Sequence, residues 1–253
     1  MDLGLKGMRA IVTGGTRGIG RCIAETLAAE GADVAICARK ADEVAAAVKS
    51  IGRFGTRING RVLDVADGQA LTGWVGDVAS ELGGIDIVIA NVSALAIGLD
   101  DESWRKSFET DMMGTVRLCE ASIPHLEKSR AGAIVTISSV SAREIDFAAG
   151  PYGAFKAAIV HYTQGLANRL APKGIRANTV SPGNTYFEGG VWQNIEKGNP
   201  DLFRTAIGLN PTGRMGTPQE MANAVAFLAS PAASFIMGTN LVVDGALTRG
   251  VQM

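Results

Sequence analysis

An α/β fold, with one mostly parallel seven-stranded sheet wound on both faces by helices in a single domain, is predicted by three features of the sequence. Short β-prone runs alternate with amphipathic helical stretches from residue 9 to residue 244, and parallel neighbours need helical crossovers. The run Ile85-Asp86-Ile87-Val88-Ile89-Ala90 is nearly continuous in apolar residues, as a strand covered on both faces is. A glycine-rich turn joins the first strand to the first helix. No Pro/Ser-rich linker, charge block or repeat divides the 253 residues.

The first strand, Arg9 to Thr13, runs into Gly14-Gly15-Thr16-Arg17-Gly18-Ile19-Gly20 and then an amphipathic helix over about 22–29. Such a turn lets backbone approach a ligand, and the free N–H groups and dipole of the helix start favour a phosphate. The same glycines would also serve a tight turn with a closely packed helix, but strand, turn and helix in this order favour a dinucleotide in a Rossmann-type, doubly wound sheet. The second strand, Asp33 to Cys37, ends at Ala38-Arg39-Lys40. An acidic residue there would hold the ribose 2′-hydroxyl of NAD, whereas arginine accommodates the 2′-phosphate of NADP. Arg39, with Arg17 in the turn, points to NADP(H) rather than NAD(H); otherwise Arg39 and Lys40 are solvated residues opening the helix from Ala41 to about Ile51.

A third strand spans Ile58 to Leu63, followed by Asp64-Val65 and a helical segment near 67–82. Asp64 either caps that helix or accepts from an adenine amino group, two compatible roles. The fourth strand ends at Asn91-Val92-Ser93, and helical patterns follow over about 101–108 and 110–127. The fifth, Ala133 to Ile137, finishes in Ser138-Ser139-Val140-Ser141. Ligands of such sheets bind beyond the carboxyl ends of the strands, where Gly14, Arg39, Asp64, Asn91 and Ser139 all fall.

Next comes Gly150-Pro151-Tyr152-Gly153-Ala154-Phe155-Lys156, opening a helix to about Leu170. Residues four apart share a helix face, so the Tyr152 phenol and the Lys156 ammonium can meet in one site, where the cation favours the ionised phenol and the pair can do acid–base chemistry. A surface tyrosine beside a snorkelling lysine has the same spacing, so the pair needs its neighbours to give it meaning. A sixth strand, Gly174 to Ser181, closes on Pro182-Gly183. The long connection 184–217 contains Phe187, Trp192 and Phe203 and is expected to be a substrate lid. A helix from Pro218 to Ala229 and a last strand, Asn240 to Asp244, complete the chain.

In order and spacing these motifs resemble, from end to end, the single-domain branch of the short-chain dehydrogenase/reductase family, whose usual length is close to the 253 residues here. Thr13-Gly14 through Gly20 matches the glycine spacing of that family, and Asp64-Val65 its adenine-contact pair. Asn91 aligns with the second asparagine of its Asn-Asn-Ala-Gly segment. Ser139 stands thirteen residues before Tyr152, as the family's catalytic serine does, and Pro182-Gly183 matches the turn beside its nicotinamide. The resemblance implies interconversion of a carbonyl and a secondary alcohol by hydride transfer. Tyr152 would be proton donor and acceptor, and Ser139 would stabilise the oxyanion. Lys156 would bind the nicotinamide ribose and favour the phenolate. The implied cofactor contacts are Gly14, Thr16, Arg17, Gly18, Ile19, Gly20, Arg39, Asp64, Val65, Asn91, Tyr152, Lys156, Pro182, Gly183 and Thr185.

Three departures stand out. Trp104 leads to Asp111 where the family usually has an asparagine that positions a relay water, and a carboxylate accepts where an amide could also donate. Val92-Ser93 replaces Ala-Gly. Phe187 replaces a threonine that contacts the carboxamide, with Thr185 near enough to substitute. A protein that binds NADP(H) with weak or no catalysis, and a lyase or epimerase of related fold, remain as alternatives.

The 24 basic and 25 acidic residues give a formal charge of -1 without a basic run, which argues against nucleic acid. Met1-Asp2-Leu3-Gly4-Leu5-Lys6-Gly7 lacks the apolar core of a signal peptide and no run reaches the ~18 apolar residues of a membrane span, so a cytoplasmic protein is expected. Cys22, Cys37 and Cys119 suit reduced core thiols, and with only His125 and His161 no metal site is expected. The substrate is expected to be a small carbonyl or alcohol, apolar by the aromatics Phe147, Phe187, Trp192 and Phe203. By resemblance, helices 110–127 and 152–170 would form subunit contacts through Gly153, Ala154, Ala157 and Ala158, giving a homotetramer or a homodimer.

Overall fold

Side chains of neighbouring strand residues point to opposite faces, and here both faces are buried. Val12, Ile36, Ile87 and Ile89 enter one apolar layer with Ile23, Leu27, Ile51 and Val225. Ile11, Ala35, Val88 and Ile134 enter the other, with Leu71, Trp74, Leu118 and Leu170. The computed structural model describes residues 2–250. Its strands are β1 (Arg9–Thr13), β2 (Asp33–Ala38), β3 (Ile58–Val62), β4 (Ile87–Ala90), β5 (Ala133–Ile137), β6 (Arg176–Pro182) and β7 (Asn240–Val243). They form one sheet in the order β3-β2-β1-β4-β5-β6-β7, parallel throughout. The order reverses between β1 and β4, which opens a crevice at their carboxyl ends.

Helices α1 (Gly18–Ala29), α2 (Ala41–Ile51) and α9 (Pro218–Ala229) cover one face; α3 (Gly68–Leu82), α5 (Gly114–Leu126) and α6 (Pro151–Leu170) cover the other. Between β6 and α9 lie α7 (Val191–Gly198) and α8 (Pro200–Leu209), with a small core of their own around Trp192, Ala206 and Met215. No helix of the described residues is long and apolar enough to cross a membrane.

Most boundaries move by a residue or a few, and three of the differences have a physical cause. The helical patterns near 101–108 and 110–127 are one continuous helix: α4 (Asp101–Ser107) passes through a widened π turn, Phe108–Met113, into α5, and the Gly114 N–H donates five residues back to the Glu109 carbonyl. β6 begins at Arg176, because Gly174 is left-handed (φ 71°) and ends the preceding turn. β4 begins after Asp86, whose side chain is engaged by Arg9.

That engagement ties the amino ends of β1 and β4. Arg9 Nε and Nη2 each donate to the Asp86 carboxylate at 2.7 Å, Ser129 Oγ donates at 2.6 Å, and the Arg9 backbone N–H adds a bond of 2.9 Å. Burial alone would raise the Asp86 carboxyl, but the bonds from Arg9 and Ser129 outweigh it and hold it below the usual range. A depressed folded value contributes stability above the ordinary value near 3.8, lost as pH falls through the lower folded value. Asp86→Asn is therefore expected to cost about 2 kcal/mol at neutral pH. In urea denaturation that deficit shrinks steadily below about pH 4; a deficit independent of pH would assign it to packing.

Candidate active site

One half of the crevice is built on the turn after β1. Arg17 is extended and precedes α1 without a side-chain cap, so the first-turn N–H groups remain free for a ligand. A Cβ on Gly20 would stand 2.2 Å from the Gly14 carbonyl oxygen and 2.4 Å from Asn91 Nδ2, so only glycine lets α1 seat against the turn. Asn91 Nδ2 donates to the Thr13 carbonyl at 3.0 Å, and its N–H donates to Thr13 Oγ1 at 3.1 Å. The Asn91 amide is thus spent on holding the turn. Asn91 lines the cleft as well, so it buttresses the turn from the cofactor side.

At the end of β2, Arg39 is exposed. Lys40 pairs with Glu43 at 2.9 Å, and Thr16 Oγ1 donates to the other Glu43 oxygen at 3.3 Å. The Lys40 bond chiefly holds the Glu43 carboxyl below its usual range. Arg17 and Arg39 have no carboxylate within 4.0 Å among the described residues, which leaves two guanidinium groups for an anion. Asp64 does not cap α3. Asp67 does, accepting from the Ala70 N–H at 3.0 Å, and Asp64 Oδ1 accepts from the Ala66 N–H at 3.0 Å with its other oxygen open.

The other half is built on α6. Lys156 is 2 % exposed; its Nζ donates to the Ile137 carbonyl at 3.0 Å, lies 3.4 Å from Asp111 Oδ1, and is 5.6 Å from the Tyr152 ring centroid. Asp111 sits in the π turn, fully buried, and its Oδ2 accepts from the Ala94 N–H at 2.9 Å. Ser138 Oγ donates to the Lys156 carbonyl at 2.8 Å, and Thr136 Oγ1 lies 2.8 Å from Thr163 Oγ1 and 3.0 Å from Thr179 Oγ1. These buried hydroxyl contacts pin α6 to β5 and β6.

Gly153 was expected at a subunit contact and is buried within the chain instead. Its Cβ would stand 2.9 Å from the carbonyl oxygens of Ser141 and Ala148, so its lack of a side chain brings α6 against the loop that carries Ser139. Ser139 Oγ accepts from the Ser141 N–H at 3.1 Å and lies 3.2 Å from Ser141 Oγ. Ser141 Oγ in turn donates to Asp146 Oδ2 at 2.7 Å.

The halves enclose a cleft of about 570 Å³. Every residue expected at the site lines it except Gly18 and Asp111. Gly18 is covered by the Phe187 ring, which a Cβ would meet at 2.5 Å; Asp111 lies beneath Lys156. Thr185 is 7 % exposed and its hydroxyl donates to the Gly183 carbonyl at 3.0 Å. Phe147 and Trp192 line the cleft and meet edge to face at 5.8 Å, whereas Phe203 packs on Tyr186 away from it. Ser141, Ala94 and Ser138 were given no role from the sequence, and Asp146 was read only as a negative charge disfavouring an anionic substrate: backbone groups and short polar side chains acquire a role only through the fold.

A family model described as enoyl-(acyl carrier protein) reductase matches residues 14–248. Isoepoxydon dehydrogenase patN of Penicillium expansum is 41% identical over 257 residues, covering 100% of this chain and 99% of that one. The chain belongs to the short-chain dehydrogenase/reductase family. Among solved structures, a short chain dehydrogenase from Burkholderia cenocepacia J2315 in complex with NADP is 34% identical with a TM-score of 0.86, covering 96% of this chain and 98% of that one. L-Sorbose reductase from Gluconobacter frateurii, complexed with NADPH and L-sorbose, is 29% identical with a TM-score of 0.89, covering 99% and 100%. This short-chain dehydrogenase/reductase is an oxidoreductase acting on CH–OH and C=O groups.

The close seat of Gly153 has a measurable consequence in this short-chain dehydrogenase/reductase. Gly153→Ala forces the Ser139 loop or α6 to shift, because its Cβ would meet backbone oxygen. Turnover is expected to fall at least about 100-fold while circular dichroism and the affinity for the dinucleotide stay near wild type; a variant with full turnover would show that the contact relaxes without moving Ser139.

Proposed function

We propose that the protein is an NADP(H)-dependent reductase and dehydrogenase that interconverts a carbonyl and a secondary alcohol. The observation that carries this reading is one cleft with, at one end, two arginines that have no carboxylate partner among the described residues and, at the other, a buried ammonium beside a phenol and a serine. The donor set fits a dinucleotide: the uncapped start of α1 for the pyrophosphate, Arg17 and Arg39 for a 2′-phosphate, the open Asp64 oxygen for an adenine amino group, and Lys156 for the nicotinamide ribose. Thr16, Ile19 and Val65 line that path, and Pro182, Gly183 and Thr185 border its nicotinamide end. The bound cofactor supplies the hydride.

The chain's own residues then handle the proton and the charge. Tyr152 gives its phenolic proton to the carbonyl oxygen as that oxygen becomes an alkoxide, and takes it back in the reverse direction. Ser139 donates a hydrogen bond to the same oxygen while charge develops on it. Lys156 stabilises the phenolate that is left, and Asp111 holds Lys156 from below. Residues 184–217 act as the lid: Phe187 reaches the glycine turn and Trp192 reaches Phe147, so one segment covers both halves. A homotetramer is supported by the exposed Trp104 of α4 and Phe108 of the π turn, which flank Phe155 of α6, with Ala154 and Ala157 exposed nearby. The free thiols Cys22, Cys37 and Cys119 suit a reducing compartment such as the cytoplasm.

Two variants test the reading. Tyr152→Phe is expected to lower kcat by about 10²–10⁴ in a ketone assay following NADPH absorbance, with NADPH affinity within about threefold by fluorescence titration. Near-wild-type turnover would overturn the assignment, tight NADPH binding without turnover in the wild type would favour the binding protein, and product without net cofactor oxidation the lyase or epimerase. Arg39→Asp removes one phosphate partner and restores an acidic residue for a ribose hydroxyl. The ratio of kcat/KM for NADPH over NADH is expected to fall by about 100-fold or more; an unchanged ratio would remove Arg39 from the site.

A further inference from the structure

We propose that the substrate carries a hydroxyl group on the carbon next to its reacting carbonyl, and that Asp146, held by Ser141, recognises that hydroxyl. The inference rests on the reading of Ser139 and Tyr152 as the groups that hold the reacting oxygen. It adds one polar group to the apolar substrate expected from the aromatic residues.

Ser139, Ser141 and Asp146 all line the cleft and form one hydrogen-bonded line. Ser139 Oγ stands 3.2 Å from Ser141 Oγ, which donates to Asp146 Oδ2 at 2.7 Å. Asp146 Oδ1 accepts from the Ala148 N–H at 2.8 Å. A carboxylate offers about four acceptor positions, and two are occupied here. The rest are unfilled on a residue that lines the cleft, with no lysine or arginine within 4.0 Å among the described residues. A ligand that covers this carboxylate without offering a donor takes water away and returns nothing, which is how a polar site rejects an analogue lacking one hydroxyl.

The position of the acceptors sets where the donor must be. Ser141 spends its proton on Asp146 and keeps lone pairs for a neighbour. Its distance from Ser139 is close to that between the two oxygens of a vicinal hydroxy-ketone. When the carbonyl oxygen takes Ser139 and Tyr152, an adjacent hydroxyl falls beside Ser141 and Asp146. The Phe147–Trp192 pair walls the same end of the cleft with apolar surface and suits the carbon skeleton. Carboxylates and phosphates on that skeleton are repelled by Asp146.

The test compares 2-hydroxycyclohexanone with 2-methoxycyclohexanone, which keeps the oxygen and loses only the donor. With NADPH, the wild type is expected to favour the hydroxy ketone by at least about tenfold in kcat/KM, and Asp146→Ala to bring the ratio within about threefold. Asp146→Asn, whose amide oxygen still accepts, retains part of the preference. Ser141→Ala, which frees the carboxylate, also lowers it and serves if Asp146→Ala does not fold. A wild type indifferent to the methyl group, or an Asp146→Ala that slows both ketones equally and keeps the ratio, would overturn the proposal and leave Asp146 a loop support. Binding of both ketones to the NADPH complex of Tyr152→Phe, by calorimetry, reads recognition without turnover. If the wild type reduces neither ketone but the complex binds the hydroxy compound at least about tenfold tighter, the proposed placing of the reacting oxygen on Ser139 and Tyr152 fails and the recognition by Asp146 stands; equal binding overturns the recognition.

Discussion

A lysine ammonium almost wholly removed from water is the constraint on which the rest of this architecture depends. A charge at that depth is tolerated only when paired and hydrogen-bonded, so the fold must bring partners to Lys156 from elements distant in sequence. β5 contributes the Ile137 carbonyl and the π turn between α4 and α5 contributes Asp111. The widened turn matters because it carries a carboxylate into the interior in mid-helix, at a kind of irregularity often found at functional sites. Removing one partner of such a pair leaves an uncompensated buried charge, at a cost of about 3–5 kcal/mol. The position of Lys156 is therefore as firmly set as any apolar core residue.

Close packing transmits that rigidity to the cleft. The hydroxyl contacts among Thr136, Thr163 and Thr179, with the bond from Ser138 to the Lys156 carbonyl, fix the height of α6 on the sheet. Gly153 and Gly20 do for the two halves of the crevice what these bonds do for the helix, each letting backbone meet backbone where a methyl group would not fit. A catalytic arrangement must be held to fractions of an ångström; the proposed one rests on strands and helices, with the Ser139 loop clamped between them.

Much of this was legible in the sequence, for a physical reason. The strand and helix periods, the glycine turn, Arg39 at a strand end and the Tyr152–Lys156 spacing are local patterns, and a parallel sheet gathers all its strand ends on one edge. What stayed illegible depends on which groups meet across the chain. Asn91 reads as a ligand contact, and only the fold shows that its amide nitrogen also holds Thr13 and Gly14. Gly153 reads as a helix-surface residue, yet it faces the Ser139 loop. Asp64 reads as the cap of the next helix, yet the helix starts at Gly68 and Asp67 caps it instead. Ser141 and Asp146 form a line because a short turn folds one back over the other, which no spacing rule anticipates.

Asp111 shows how a departure from the family pattern can be absorbed by geometry. An ammonium has three N–H groups. One donates to Ile137, which leaves two to divide between Asp111 and the cleft. The Asp111 oxygen facing Lys156 stands 3.4 Å away and lacks an aligned hydrogen bond, so the pair is held by charge more than by a directed bond. An asparagine there could donate as well as accept; the carboxylate can only draw Lys156 toward the π turn. The Ile137 carbonyl limits that movement, because its bond to Nζ, at 3.0 Å, is the shorter contact. In the proposed reaction Lys156 keeps an N–H for the ribose only while this backbone bond holds it level with Tyr152. The rigidity of β5 thus offsets the pull of the carboxylate, and the strand whose end supplies Ser139 also sets where the cation can stand.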